Sequence, residues 1–206
     1  YMAAVCGLGI VVPIDKELPQ SELIRCLNRA QINAVVFEGL KCADMLAARN
    51  EIEAHVRYFI DMHAPKNQDN CLAFTNLLAK GRTLLQNGDT RYQNLPLNPE
   101  AFNILLFTSG TSSTSKAVML IHKNICSNIM DVSRMIQFTR DDIFLSVLPI
   151  HHAYQCTCGF LVPMFKGAAI AFCPDRQNFA QNLAQSKTTI LLGVPLIFET
   201  IHKHIY

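Results

Sequence analysis

The chain has 206 residues, half of them apolar and 17% charged, with a formal net charge of +2 and both signs interspersed. A chain of this length buries about 70% of its extended surface on folding, so this is the composition of a folded, intracellular domain. No basic block and no aromatic–basic interleaving occurs, which excludes a nucleic-acid partner. The apolar opening, 1–14, has neither a basic start nor a small-residue cleavage pattern, and it is shorter than the ~20 residues of a membrane span. It therefore reads as neither a signal peptide nor an anchor. Residues 21–30 carry Leu23, Ile24, Leu27 and Ala30 at helical spacing, with Ser21 in the N-cap position. A strand follows at 34–37, a helix at 42–49 and a strand at 56–62. Residues 64–70 form a polar turn cluster, 71–86 a helix, and 87–99, rich in Asn, Pro and Gly, the longest loop.

The second half alternates regularly. Strand 102–107 empties into a hydroxyl-rich loop, and strand 117–121 leaves it. Then come helix 122–137, strand 143–148, helix 153–165, strand 168–172, helix 178–186, strand 188–194 and helix 195–205 with Pro195 in its first turn. The apolar stretch 159–173 is broken by Pro163 and Lys166, so it reads as helix plus strand and not as a membrane span. Repeated βα units with near-continuous apolar strands predict an α/β fold of largely parallel sheets with helices on both faces.

The loop carries most of the functional signal. Residues 106–120 read Leu-Phe-Thr-Ser-Gly-Thr-Ser-Ser-Thr-Ser-Lys-Ala-Val-Met-Leu. Thr108 to Ser115 are all small or hydroxylated, and Lys116 closes them with one cation. Such a density of hydroxyl and N–H donors suits a polyphosphate, because each bond to a charged oxygen is worth roughly 1.5–3 kcal/mol and successive N–H groups form an anion nest. The loop is not a Walker P-loop: Gly110 is followed after four residues by Ser115 instead of Gly, and Lys116 by Ala117 instead of Ser or Thr. Ser113-Thr114-Ser115-Lys116 fits S-x-x-K, but the companion S-D-N and K-T-G elements are lacking; Lys187-Thr188-Thr189 misses the glycine. The eight cysteines are irregularly spaced. Cys156-Thr157-Cys158 follows His151-His152, but this is not the spacing of a zinc site, so the cysteines read as reduced core thiols of a cytoplasmic protein.

The loop resembles the phosphate-binding signature Thr-Ser-Gly-Thr-Thr-Gly-x-Pro-Lys-Gly of the adenylate-forming enzymes: acyl-CoA synthetases, adenylation domains of peptide synthetases, and luciferases. Thr108, Ser109, Gly110, Thr111 and Lys116 match in order and spacing. Ser112 replaces Thr, Ser113 Gly, Ser115 Pro and Ala117 Gly, which keeps the hydroxyl and cation chemistry but makes the backbone less permissive. Leu148-Pro149-Ile150-His151-His152 resembles the family's Leu-Pro-x-x-His segment, Gly193-Val194-Pro195 its Gly-Val-Pro segment, and Val11 to Pro19 its Val-Pro-Leu-Asp-Pro-x-x-Pro stretch. The run 143–166 is most similar to the bacterial long-chain fatty acid branch.

The resemblance implies residue roles. Thr108, Ser109, Gly110, Thr111, Ser112, Ser113 and Thr114 would wrap the β- and γ-phosphates of ATP. Lys116 would add charge near them, or fix the loop through its carbonyls, and Thr108 would touch the Mg2+ ion. His152 would face the acyl-adenylate and orient the carboxylate, with His151 left to packing. Gly193 and Pro195 would line the acyl pocket, or form a plain strand-to-helix turn. The implied reaction joins a carboxylic acid, here a fatty acid, to AMP and passes the acyl group to coenzyme A. The family's Tyr-Gly-x-Thr-Glu and Thr-Gly-Asp elements and its C-terminal domain with a catalytic lysine do not occur in these residues. The expectation is therefore part of an AMP-binding N-terminal domain over 1–206, with subdomains 1–88 and 100–206 joined by loop 89–99, unable to complete the reaction alone. The alternatives are another adenylating enzyme, such as a peptide-synthetase domain or an acyl-carrier ligase, and a non-catalytic nucleotide-binding relative.

Overall fold

The structure is a computed structural model that describes residues 7–38, 50–52, 56–68, 71–108, 116–173 and 178–205. The helix expected at 42–49 lies outside them. The chain divides into two compact units, one of Tyr1–Leu97 with Ser109–Lys116, the other of Asn98–Thr108 with Ala117–Tyr206.

The first unit begins with α1 (Gln20–Arg29), whose buried residues are Ile24, Cys26 and Leu27. Ile24 and Leu27, three residues apart, share one face and pack with the strand residues Phe37 and Phe59. The N-cap position belongs to Pro19 and makes no side-chain bond, so Ser21 is already inside the helix. At the other end, Ile32 N–H donates to the Leu27 carbonyl and Gln31 N–H to that of Asn28. Gln31 has a φ of 50°, the left-handed position of a Schellman motif that glycine usually fills. Next come β1 (Ala34–Phe37), β2 (Tyr58–Asp61), β3 (Cys71–Ala73) and α2 (Phe74–Gln86). The strands pair in parallel in the order β1-β2-β3. The helix expected over 71–86 is thus shorter: Cys71–Ala73 pair with Phe59–Asp61, and burial of Cys71 and Ala73 beside Phe59 overrides their local propensity. Ile24, Leu27, Phe37, Ile52, Phe59 and Cys71 form the core of this unit.

In the second unit, β4 (Phe102–Thr108) and β5 (Lys116–Ile121) form a two-stranded sheet. His122 and Lys123 N–H donate to the carbonyls of Ala101 and Pro99, so the end of β5 lies beside the start of β4, as in a hairpin. This pair departs from the largely parallel pattern. α3 (His122–Met135) follows, and the Asn124 side chain accepts the Ile121 N–H at its start. Then come β6 (Ile143–Ser146), a π-helix (Gln155–Leu161), α4 (Val162–Lys166), β7 (Ala169–Phe172), α5 (Phe179–Gln185), β8 (Ile190–Leu191) and α6 (Pro195–Ile205). The sheet order is β7-β6-β8, all parallel. The strand expected over 188–194 is cut to two residues because the chain turns at Gly193 toward α6.

Phe138, Phe144 and Val162 make the core here, with the Phe138 and Phe144 rings edge-to-face at 5.1 Å. The amino edge of the sheet is held by Asp142. Its carboxylate accepts from Thr139 N–H at 2.7 Å and from Thr189 Oγ1 at 2.8 Å, and Ile143 N–H donates to Thr189 Oγ1 at 3.0 Å. The Thr139 amide, and then the Thr189 hydroxyl, hold this carboxyl below the usual range. Among the described residues no helix is long and apolar enough to cross a membrane.

Candidate functional site

The sheet β7-β6-β8 sends three connections out from its carboxyl edge, starting at Ser146, Phe172 and Leu191. In parallel α/β sheets this edge is where ligands bind. The segment after central β6 carries His151 and His152, and the segment after β8 carries Gly193 and Pro195. Topology therefore brings two of the motifs to one edge, although about 40 residues of sequence separate them.

The histidine segment is a tight turn. His152 N–H donates to the Pro149 carbonyl at 3.1 Å, and Cys156 N–H to the His152 carbonyl at 2.9 Å. The His151 and His152 ring centroids lie 4.3 Å apart with the rings tilted by 50°. His152 is exposed and His151 half-buried. The helix expected at 153–165 forms, but Gln155–Leu161 within it are π-helical. Pro163 has no N–H for the Gly159 carbonyl and would clash there in an α-helix; the wider turn before it removes that conflict.

Gln155 is fully buried in that turn. Its Nε2 donates to Ser146 Oγ at 2.8 Å, while its Oε1 accepts no bond among the described residues. Gly159 makes room for it: a Cβ there would stand 2.4 Å from Gln155 Nε2. A buried acceptor left unmet costs about 1–3 kcal/mol. No motif singles out Gln155, Ser146 or Gly159. The available signal is one amide in an apolar helical run with a glycine four residues on, the same helix face. Nearby, burial pushes the Cys158 thiol up, which makes it a poor nucleophile.

Gly193 is half-buried, and a Cβ on it would meet the Phe198 ring at 3.0 Å. The group approaching this backbone is thus Phe198, from the first turns of α6. Pro195 opens α6 and is exposed.

Of the loop residues, Thr108 ends β4 and Lys116 begins β5, and both are exposed. Ser109, Gly110, Thr111, Ser112, Ser113 and Thr114 lie outside the described residues. Among the described residues no carboxylate pairs with Lys116, and no three His, Cys, Asp or Glu gather as a metal site requires. Each group taken by itself suits a polyphosphate oxygen, Thr108 through its hydroxyl and Lys116 through its ammonium, and an alcohol oxygen is a ligand that Mg2+ accepts.

A family model described as AMP-binding enzyme matches residues 1–206. The chain belongs to the AMP-binding enzyme family. Fatty acyl-CoA synthetase B of Dictyostelium discoideum is 30% identical over 134 residues, 65% of this chain and 19% of that protein. The chloroplastic long-chain-fatty-acid–[acyl-carrier-protein] ligase AEE15 of Arabidopsis thaliana is 24% identical over 196 residues, 89% of this chain and 27% of that protein. Among solved structures, ATP-bound MatB of Rhodopseudomonas palustris superposes with a TM-score of 0.67 and 24% identity, over 93% of this chain and 35% of that one. The likeness to MatB shows that this chain shares the fold of the matching part of MatB. It spans about a fifth to a quarter of the length of the two curated relatives.

Proposed function

We propose that the protein carrying this chain is an ATP-dependent fatty acid–CoA ligase. It joins a carboxylate to AMP with release of pyrophosphate, then passes the acyl group to the thiol of coenzyme A with release of AMP. The observation that carries this reading is the AMP-binding match over residues 1–206, with the His152 turn leaving the central strand at the carboxyl edge of its sheet. A carboxylate is a poor nucleophile toward a phosphate that is itself negatively charged, so positioning and charge stabilisation make up most of the catalysis. Thr108, Lys116 and the residues Ser109 to Thr114 bind the β- and γ-phosphates, with Thr108 offering its hydroxyl to Mg2+. His152 orients the acid, and Gly193 and Pro195 border the acyl chain. The free thiols of Cys26, Cys71, Cys126, Cys156, Cys158 and Cys173 fit a reducing compartment such as the cytoplasm.

The test is carboxylate-dependent exchange of labelled pyrophosphate into ATP by the full-length protein, with acids from acetate to palmitate. Exchange with long-chain acids that falls in Lys116→Ala is expected. Folded protein that exchanges with none of them overturns the reading in favour of a non-catalytic relative, for which Ser113, Ser115 and Ala117 in place of Gly, Pro and Gly are the pointer. The likeness to AEE15, named as an acyl-carrier ligase, favours one other acceptor. Acyl transfer to holo-acyl carrier protein and not to coenzyme A would establish it.

A further inference from the structure

We propose that Gln155, bonded to Ser146 and given room by Gly159, is a positioning residue that holds the His152 turn against the end of β6. This deepens the ligase reading and rests on it, since it takes His152 as the side chain that faces the acid. Among the described residues no hydrogen bond holds the His152 ring, which leans on His151. Its place is therefore set by its backbone. That backbone belongs to the segment between Ser146 and Gln155, nine residues apart in sequence, whose ends are joined by the 2.8 Å bond between Gln155 Nε2 and Ser146 Oγ. Within the segment, the His152–Pro149 and Cys156–His152 backbone bonds fix the turn to the start of the helix. The side-chain bond then fixes the start of the helix to the strand.

Packing alone does not explain an amide at this place. An apolar side chain of the same length would fill the space and leave no acceptor unmet, whereas Gln155 keeps Oε1 buried and without a bond among the described residues. A hydrogen bond is directional, and it sets the rotation of the helix against the strand where apolar contact does not. Two further features serve the same contact. A side chain at position 159 would displace the carboxamide. The π-helical stretch, a form that recurs at functional sites, begins at Gln155 itself.

The test uses the full-length protein, with two readouts: pyrophosphate exchange, and deuterium uptake by the peptide spanning 147–158. Gln155→Met keeps the length and removes the bond; Ser146→Ala removes the other partner. Both are expected to speed deuterium uptake in that peptide. Both are also expected to lower kcat/KM for the acid about tenfold or more, with KM for ATP unchanged. Ser146→Thr, which keeps the oxygen, is expected to restore what Ser146→Ala loses. Unchanged uptake in Gln155→Met overturns the proposal. So does faster uptake with unchanged kcat/KM for the acid, or equal loss toward acid and ATP with a lower melting temperature, which is the mark of a structural role alone. If the unaltered protein exchanges with no acid, the ligase reading fails and the role toward the acid fails with it. Deuterium uptake then still decides whether Gln155 holds the turn.

Discussion

Thr108 and Lys116 show how single residues divide between fold and chemistry. Both stand exposed at the ends of strands and contribute little to the core, so replacing them tests function with little effect on folding. Lys116→Ala is expected to slow pyrophosphate exchange about tenfold to a hundredfold, the worth of one charged bond, with the melting temperature unchanged. Gly193 is the opposite case. Its Cα faces the Phe198 ring with no room for a methyl group. Gly193→Ala is expected to destabilise by about 1 kcal/mol as the ring is pushed aside, read as a lower midpoint in urea. The hydroxyl signature around Gly110 and the Pro149-to-His152 run are legible in sequence because they are contiguous and their chemistry is in the residue types. Gln155 is not, because its role depends on Ser146, which only the folded strand brings within reach.

At the scale of elements, the regular alternation of strands and helices was readable and the ends of elements were not. The apolar periodicity marks α1 and β4, but Cys71–Ala73 became a strand because β2 lies beside them, a contact no local pattern carries. Helix ends follow the same rule. Gln31 and Lys187 both take left-handed φ values after α1 and α5, where Gly88 serves α2. Gln31→Gly is expected to raise stability by up to about 1 kcal/mol by removing that strain, measured by thermal unfolding. Asp142 ties β6 to the loop before β8, and its carboxyl titrates below the usual range in the folded protein. A depressed folded value means the contribution is complete above about pH 4, the unfolded carboxylate range, and is lost as pH falls through the lower folded value. Asp89, held at about 2 chiefly by the Arg91 guanidinium, behaves in the same sense. Asp142→Asn is therefore expected to lower the melting temperature at pH 7 and to flatten its decline as the pH falls below about 4.

For the whole molecule, the proposed ligase reading makes ATP–Mg2+ a stabilising ligand of the full-length protein. At a hundredfold excess over the dissociation constant, the expected gain is about 2.7 kcal/mol, seen as a thermal shift that Lys116→Ala reduces. The amino-acid sequence by itself determined the family and the α/β class, and it supplies the residue types proposed to meet a polyphosphate and an acid, because these reside in contiguous runs and in hydrophobic period. Only the tertiary structure decided that the His152 and Gly193 segments leave one sheet edge. It alone also showed that the end of β5 lies beside the start of β4, against the parallel pattern of the other strands, and that the buried Gln155 amide bonds Ser146. These depend on strand order and on contacts between residues distant in the chain, which are set by packing and not by any local preference.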